Sequence, residues 1–162
     1  MKSSVASLGP SARKIVARIK KVRRAAEKAA RSKRRFAHYR YLRAVLSAYR
    51  FFEENDLLHH LVEIAPSVLK TSVRKKWHPL RVVLEATCDS PDYKVRSKWT
   101  RALEYAVAEK VDPKDLTQFI RAHGGIAGCA DLASKTKPRR KQPDNSDPRY
   151  ARSIGAIGLA FS

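Results

Sequence analysis

From Ser11 to Ala65 the chain carries neither glycine nor proline, and its apolar residues recur at helical spacing. Leu8, Ala12, Ile15, Ile19, Val22, Ala26 and Ala29 are separated alternately by four and three positions, the seam of an amphipathic helix. Ala26 and Ala29 make the second half of that seam thin, which favours packing along a neighbour over a free coiled coil. Lys33 then interrupts it. A broader stripe follows: Tyr39, Leu42, Val45, Leu46, Tyr49 and Phe52. The stretch 11–54 is therefore one rod or two helices joined around 32–35.

Beyond it the prolines punctuate. Ser90-Pro91 and Asp112-Pro113 place a capping side chain before a proline at the first helical position. Ala65-Pro66 and His78-Pro79 break the pattern with weaker caps. The spacing predicts helices over 56–65, 67–76, 79–88, 91–110, 113–122 and 125–134, and no stretch alternates long enough to make a strand. The expected fold is all-α: a long basic N-terminal helix (or two), a compact bundle of short helices and a disordered basic C-terminal tail. Val95, Trp99, Ala102, Leu103, Ala106 and Val107 share one helix face. With Leu80, Val83, Leu84, Leu116, Phe119 and Ile120 they make 79–134 the firmest expected part. The organisation read from the chain is a flexible N-terminus at 1–10, a basic helical arm at 11–54, a helical core domain at 55–134 and a basic tail with an apolar end at 135–162. Pro138, Pro143 and Pro148 punctuate that tail.

Charge changes the picture most. Across 162 residues the formal net charge is +20, with hydrophobic content of 43%, so wholesale disorder is not expected. Residues 11–50 hold 15 Lys and Arg against a single acid, Glu27. Like charges at i,i+3 and i,i+4 repel by a few tenths of a kcal/mol per pair, and an anionic partner removes that penalty. A membrane-surface helix would carry bulky residues on its apolar face, where 11–35 offers Ile, Val and Ala. Arginine among the lysines suits phosphate. Nucleic acid is thus the expected partner, with DNA favoured over RNA. The residues expected to carry it are Arg13, Lys14, Arg18, Lys20, Lys21, Arg23, Arg24, Lys28, Arg31, Arg34 and Arg35, continuing through Arg40 and Arg43. A second set, Lys94, Lys98 and Arg101, falls at i, i+4 and i+7 near a helix N-terminus. The tail adds Lys137, Arg139, Arg140 and Lys141. Phe36, His38, Tyr39 and Tyr41 interleave with these bases and are expected mainly in the core.

Other chemistry is thin. Residues 119–133 resemble the opening of a Fis-like helix-turn-helix, in which a helix ends at a glycine (Gly124), an Ile follows (Ile126), and an Ala and a Leu pack the next helix. The resemblance covers about fifteen residues. Pro138 falls in the first turns of what would be the recognition helix, so no base-reading position carries over. A helical hairpin closed by Gly124 and Gly125 is expected instead. His59 and His60, adjacent on one helix, are expected to point apart and not to chelate together. Cys88, His123 and Cys129 lack the short spacing of a zinc site, and both cysteines are expected as buried small hydrophobes. Glu53, Glu54, Asp56 and Glu63 form an acidic patch suited to a solvated face or a protein partner. The apolar C-terminus is a second candidate docking element. No catalytic constellation, metal or cofactor is expected. No apolar run reaches the ~18 residues of a membrane span, and no secretory leader is legible at the N-terminus. The expected function is that of a cytoplasmic (nucleoid-associated if bacterial), non-enzymatic nucleic-acid binder, a small regulator or DNA-packaging accessory. The alternative is a basic structural subunit of a ribonucleoprotein such as a ribosome.

Overall fold

A computed structural model describes residues 8–34, 36–88 and 92–136. Among these residues there are seven helices and no strand, so the fold is all-α: α1 (Pro10–Arg31), α2 (Ala37–Glu54), α3 (Leu58–Ile64), α4 (Pro79–Thr87), α5 (Tyr93–Ala108), α6 (Leu116–Ala122) and α7 (Gly125–Thr136). No helix among them is long and apolar enough to cross a membrane.

The stretch 11–54 is two helices. α1 stops at Ser32, whose backbone is extended and whose N–H returns to the Ala29 carbonyl at 3.2 Å. The Ser32 hydroxyl accepts from the Arg34 N–H at 3.3 Å, a local bond that competes with continuing the helix. The larger cause is burial. An unbroken rod would leave two apolar stripes side by side in solvent. Folding back lets Ile15, Ile19 and Val22 pack with Leu42, Val45 and Leu46, all of them buried. Each such side chain contributes roughly 1.5–3 kcal/mol, which outweighs the like-charge repulsion along α1.

That burial joins the expected arm at 11–54 to the helices expected at 55–134. One hydrophobic core runs from Ile15 on α1 to Cys129 on α7, with Leu8, Ala26 and Ala29 packed against its edge. α2 lies at its centre and touches each of α1, α3, α4, α5 and α6. Leu8, which falls in the expected flexible N-terminus, is tied to this core as well.

The helix expected at 67–76 is absent. Lys70 adopts a left-handed conformation (φ 55°), and the Thr71 N–H reaches back to the Ala65 carbonyl at 3.0 Å. Leu69 and Thr71 are buried there, so the segment works as a packed turn. His78, a weak cap on sequence grounds, caps α4 by accepting from the Leu80 N–H at 3.2 Å. α5 starts two residues later than expected. Its cap is Asp92, which accepts from the Lys94 N–H at 2.8 Å, while Ser90 lies outside the described residues. α6 begins at Leu116 because Asp112 instead closes a turn, accepting from the Lys114 N–H at 3.0 Å.

The expected hairpin at Gly124-Gly125 is present, both glycines having positive φ (78° and 81°). A Cβ at Gly128 would lie 1.9 Å from the His123 carbonyl oxygen, so only glycine fits that close return. α7 then packs along α5, where Ala102 and Ala106 meet the small buried residues Cys129, Ala130 and Ala133.

Candidate nucleic-acid interface

The buried seam of α1 fixes what its other side must be. With 3.6 residues per turn, Lys14, Lys20, Lys21, Arg24, Lys28 and Arg31 fall away from Ile15, Ile19 and Val22, and all six are exposed. α1 has 22 residues and so spans about 33 Å. Its last turn carries Lys28 and Arg31, where the negative end of the helix dipole favours cations. Three of the expected contacts are committed elsewhere. The Arg18 guanidinium lies 4.5 Å above the Phe51 ring on α2. Arg23, on the opposite flank, donates through Nε to the Ala86 carbonyl at 2.8 Å and through Nη2 to that of Leu69 at 3.4 Å. Arg13 donates through Nε to the Leu8 carbonyl at 2.8 Å. Bases on the two flanks of α1 therefore clamp the helix, and those between the flanks face solvent.

On α2, Arg40 and Arg43 are exposed, as are Lys33 and Arg34 before it. The interleaved aromatics divide by depth. Tyr39 and Tyr41 are buried, and Phe36 is exposed beneath the Arg121 guanidinium, 4.9 Å from its ring centroid. Lys94 and Lys98 on α5 are exposed. Arg101 instead leans on α7, where it donates to the Ser134 hydroxyl at 3.3 Å, and its buried Nε finds no acceptor among the described residues. The N-terminus of α5, expected to attract phosphate, is occupied by the Asp92 carboxylate. Arg35, Lys137, Arg139, Arg140 and Lys141, with the apolar C-terminal end, lie outside the described residues.

A further cationic cluster joins the core. Glu85 on α4 takes both Arg81, one helical turn away, and Arg96 of α5 at 2.9 Å. Arg81 is buried, with Trp77 and Tyr93 packed over its guanidinium at 5.4 and 4.8 Å. These charges lock α4 to α5.

The acidic patch is partly spent within the fold. Glu53 pairs with Arg50 at 2.9 Å and accepts from the Tyr49 hydroxyl at 3.4 Å. Burial, then the Glu53 charge, hold the Tyr49 phenol above its usual range. Glu63 faces His60 at 3.4 Å. The expectation that His59 and His60 point apart is corrected: one ring nitrogen of each, with a Glu63 oxygen, lie within 4.8 Å of one another on exposed α3. Among the described residues Cys88, His123 and Cys129 form no such group.

The sequence did not single out a groove beside α1. It has a volume of about 420 Å³ and is lined by Ala26, Glu27, Ala29 and Ala30 of α1, His38 and Tyr41 of α2, Cys88, and Trp99 of α5. Cys88 is thus half-buried against this groove, whereas Cys129 is fully buried. The His38 and Trp99 rings lie within 5° of parallel, their centroids 6.2 Å apart. The Tyr41 ring meets Trp99 edge-on at 5.8 Å. Burial lowers the His38 pKa below its ordinary 6.5. The available signal was the thin seam itself, since Ala26 and Ala29 leave space where larger residues would close against α2. No protein family, curated protein or solved structure matches the chain.

Proposed function

We propose that the chain binds nucleic acid, duplex DNA first, by laying the outward face of α1 along the phosphate backbone. In this reading it is a small cytoplasmic regulator or DNA-packaging accessory and performs no catalysis. The observation that carries the reading is the segregation of charge on α1. Lys14, Lys20, Lys21, Arg24, Lys28 and Arg31 are exposed on a face whose reverse is anchored in the core. Lys20, Arg24 and Lys28 are one turn apart, close enough to repel. A duplex presents one negative charge per ~1.7 Å of axis and relieves that repulsion along the whole helix. Because α1 is held by the core, little ordering entropy opposes binding.

A second reading, a basic subunit of a ribonucleoprotein, is favoured by the aromatic groove beside α1, since RNA recognition draws on stacking of unpaired bases. Displacement of a labelled short duplex, followed by fluorescence anisotropy, separates the two. Unlabelled duplex is expected to compete better than single-stranded RNA of equal length; the reverse order favours the ribonucleoprotein reading.

A further inference from the structure

The groove between α1, α2 and α5 combines an aromatic wall, an apolar floor and a charged rim. Its wall is aromatic, with the His38 and Trp99 rings stacked parallel to within 5°. The Tyr41 hydroxyl is directed to Thr87 Oγ1 at 2.7 Å, and the Thr87 hydroxyl itself donates to the Val83 carbonyl. Tyr41 therefore offers the groove its ring and keeps its polar atom out. The floor, Ala26 and Ala29, carries no polar side-chain atom.

The rim is charged in a particular order. Glu27 is the sole acid of α1, and no ion pair to it is formed among the described residues. It lines the groove, and Arg24 and Arg31 lie one turn to either side of it on the helix surface. A ligand that fits this order has a flat apolar body with donor groups, flanked by anions. An aliphatic side chain of a protein partner uses neither the parallel rings nor the two arginines.

We infer that this groove is a subsite for one unpaired nucleobase of the bound strand. The base stacks on the His38–Trp99 wall, its exocyclic amine donates to the Glu27 carboxylate, and Arg24 and Arg31 take the flanking phosphates. The inference rests on the nucleic-acid reading above and refines it: a duplex that carries an unpaired base, at a junction or an end, is preferred to a fully paired one.

Cys88 supplies the probe, since it lines the groove while Cys129 is fully buried. The full chain is treated with iodoacetamide in the presence of a short single-stranded oligodeoxynucleotide or an abasic strand of equal length. Affinities for both strands are measured in parallel by anisotropy at several salt concentrations. Both strands are expected to bind with affinity that falls steeply with salt. The strand with bases is expected to bind about tenfold tighter, the scale of one base–aromatic stack, and to slow Cys88 alkylation by a similar factor. Ala30→Trp, at an exposed rim position, is expected to remove that advantage while leaving abasic binding unchanged. Equal affinity and equal protection by the two strands overturn the base subsite and leave the backbone reading standing. Failure of both strands and of duplex to bind overturns the backbone reading itself.

Discussion

The Arg23 guanidinium donates to the Ala86 carbonyl at 2.8 Å, tying the middle of α1 to the end of α4. Ala86 is next to the last residue of α4, where carbonyls lack a partner in the helix, so the bond satisfies a group that needs one. Arg23 is thus a structural residue among interfacial ones. Arg23→Gln is expected to lower stability by about 1 kcal/mol in urea denaturation and to change affinity for DNA little. Lys20→Gln is expected to do the opposite, leaving the urea midpoint unmoved and weakening binding. Identical behaviour of the two variants would contradict the division of α1 into flanks and outward face.

α1 belongs to the core, and Ile19 reports on it. Ile19 is 1% exposed, and Ile19→Ala is expected to cost about 2–5 kcal/mol. The loss should appear as a shift of the single unfolding transition seen by Trp77 and Trp99 fluorescence, although both tryptophans lie outside α1. An unshifted fluorescence transition would mean that α1 is an independent arm.

Charge reversal tests the outward face without touching the seam. Lys20, Arg24, Lys28 and Arg31 changed together to Glu are expected to abolish DNA binding at physiological salt while far-UV circular dichroism stays helical. Retained affinity would move the interface elsewhere on the molecule.

His38 gives the fold a pH dependence. Burial lowers its pKa in the folded state, so on acidification the unfolded chain takes up a proton first and is stabilised. Stability is expected to be full above pH 6.5, the ordinary value, and to decline from there down to the depressed folded value. His38→Gln is expected to flatten that limb in urea titrations across the mildly acidic range. Equal slopes for both proteins would show that His38 titrates normally.

Much of this was legible in the chain. The apolar seams fixed seven helices' worth of faces except at 67–76, where Thr71 and Val73 are β-branched and Lys70 takes positive φ. Periodicity cannot see such a turn, because Leu69 and Thr71 are buried by tertiary contacts and not by a helix face. The packing of α1 on α2 was hidden for a related reason: spacing shows that Ile15 and Ile19 need a partner but not that α2 provides it. For the candidate interface, charge density singles out α1 as the most basic element. It could not separate Arg18 and Arg23 from Lys20 and Arg24, which differ only in whether an aromatic ring or a free carbonyl lies beside them. The groove at Trp99 joins residues from three helices and Cys88, a juxtaposition created by the α1–α2 turn.

The most direct measurement of the central proposal is the salt dependence of duplex affinity. With Lys14, Lys20, Lys21, Arg24, Lys28 and Arg31 of α1 engaged, log affinity against log salt is expected to fall with a slope of about −5. The Lys20, Arg24, Lys28 and Arg31 reversal should collapse that slope towards zero. A duplex affinity that stays flat from low to physiological salt in the wild-type protein would contradict the account.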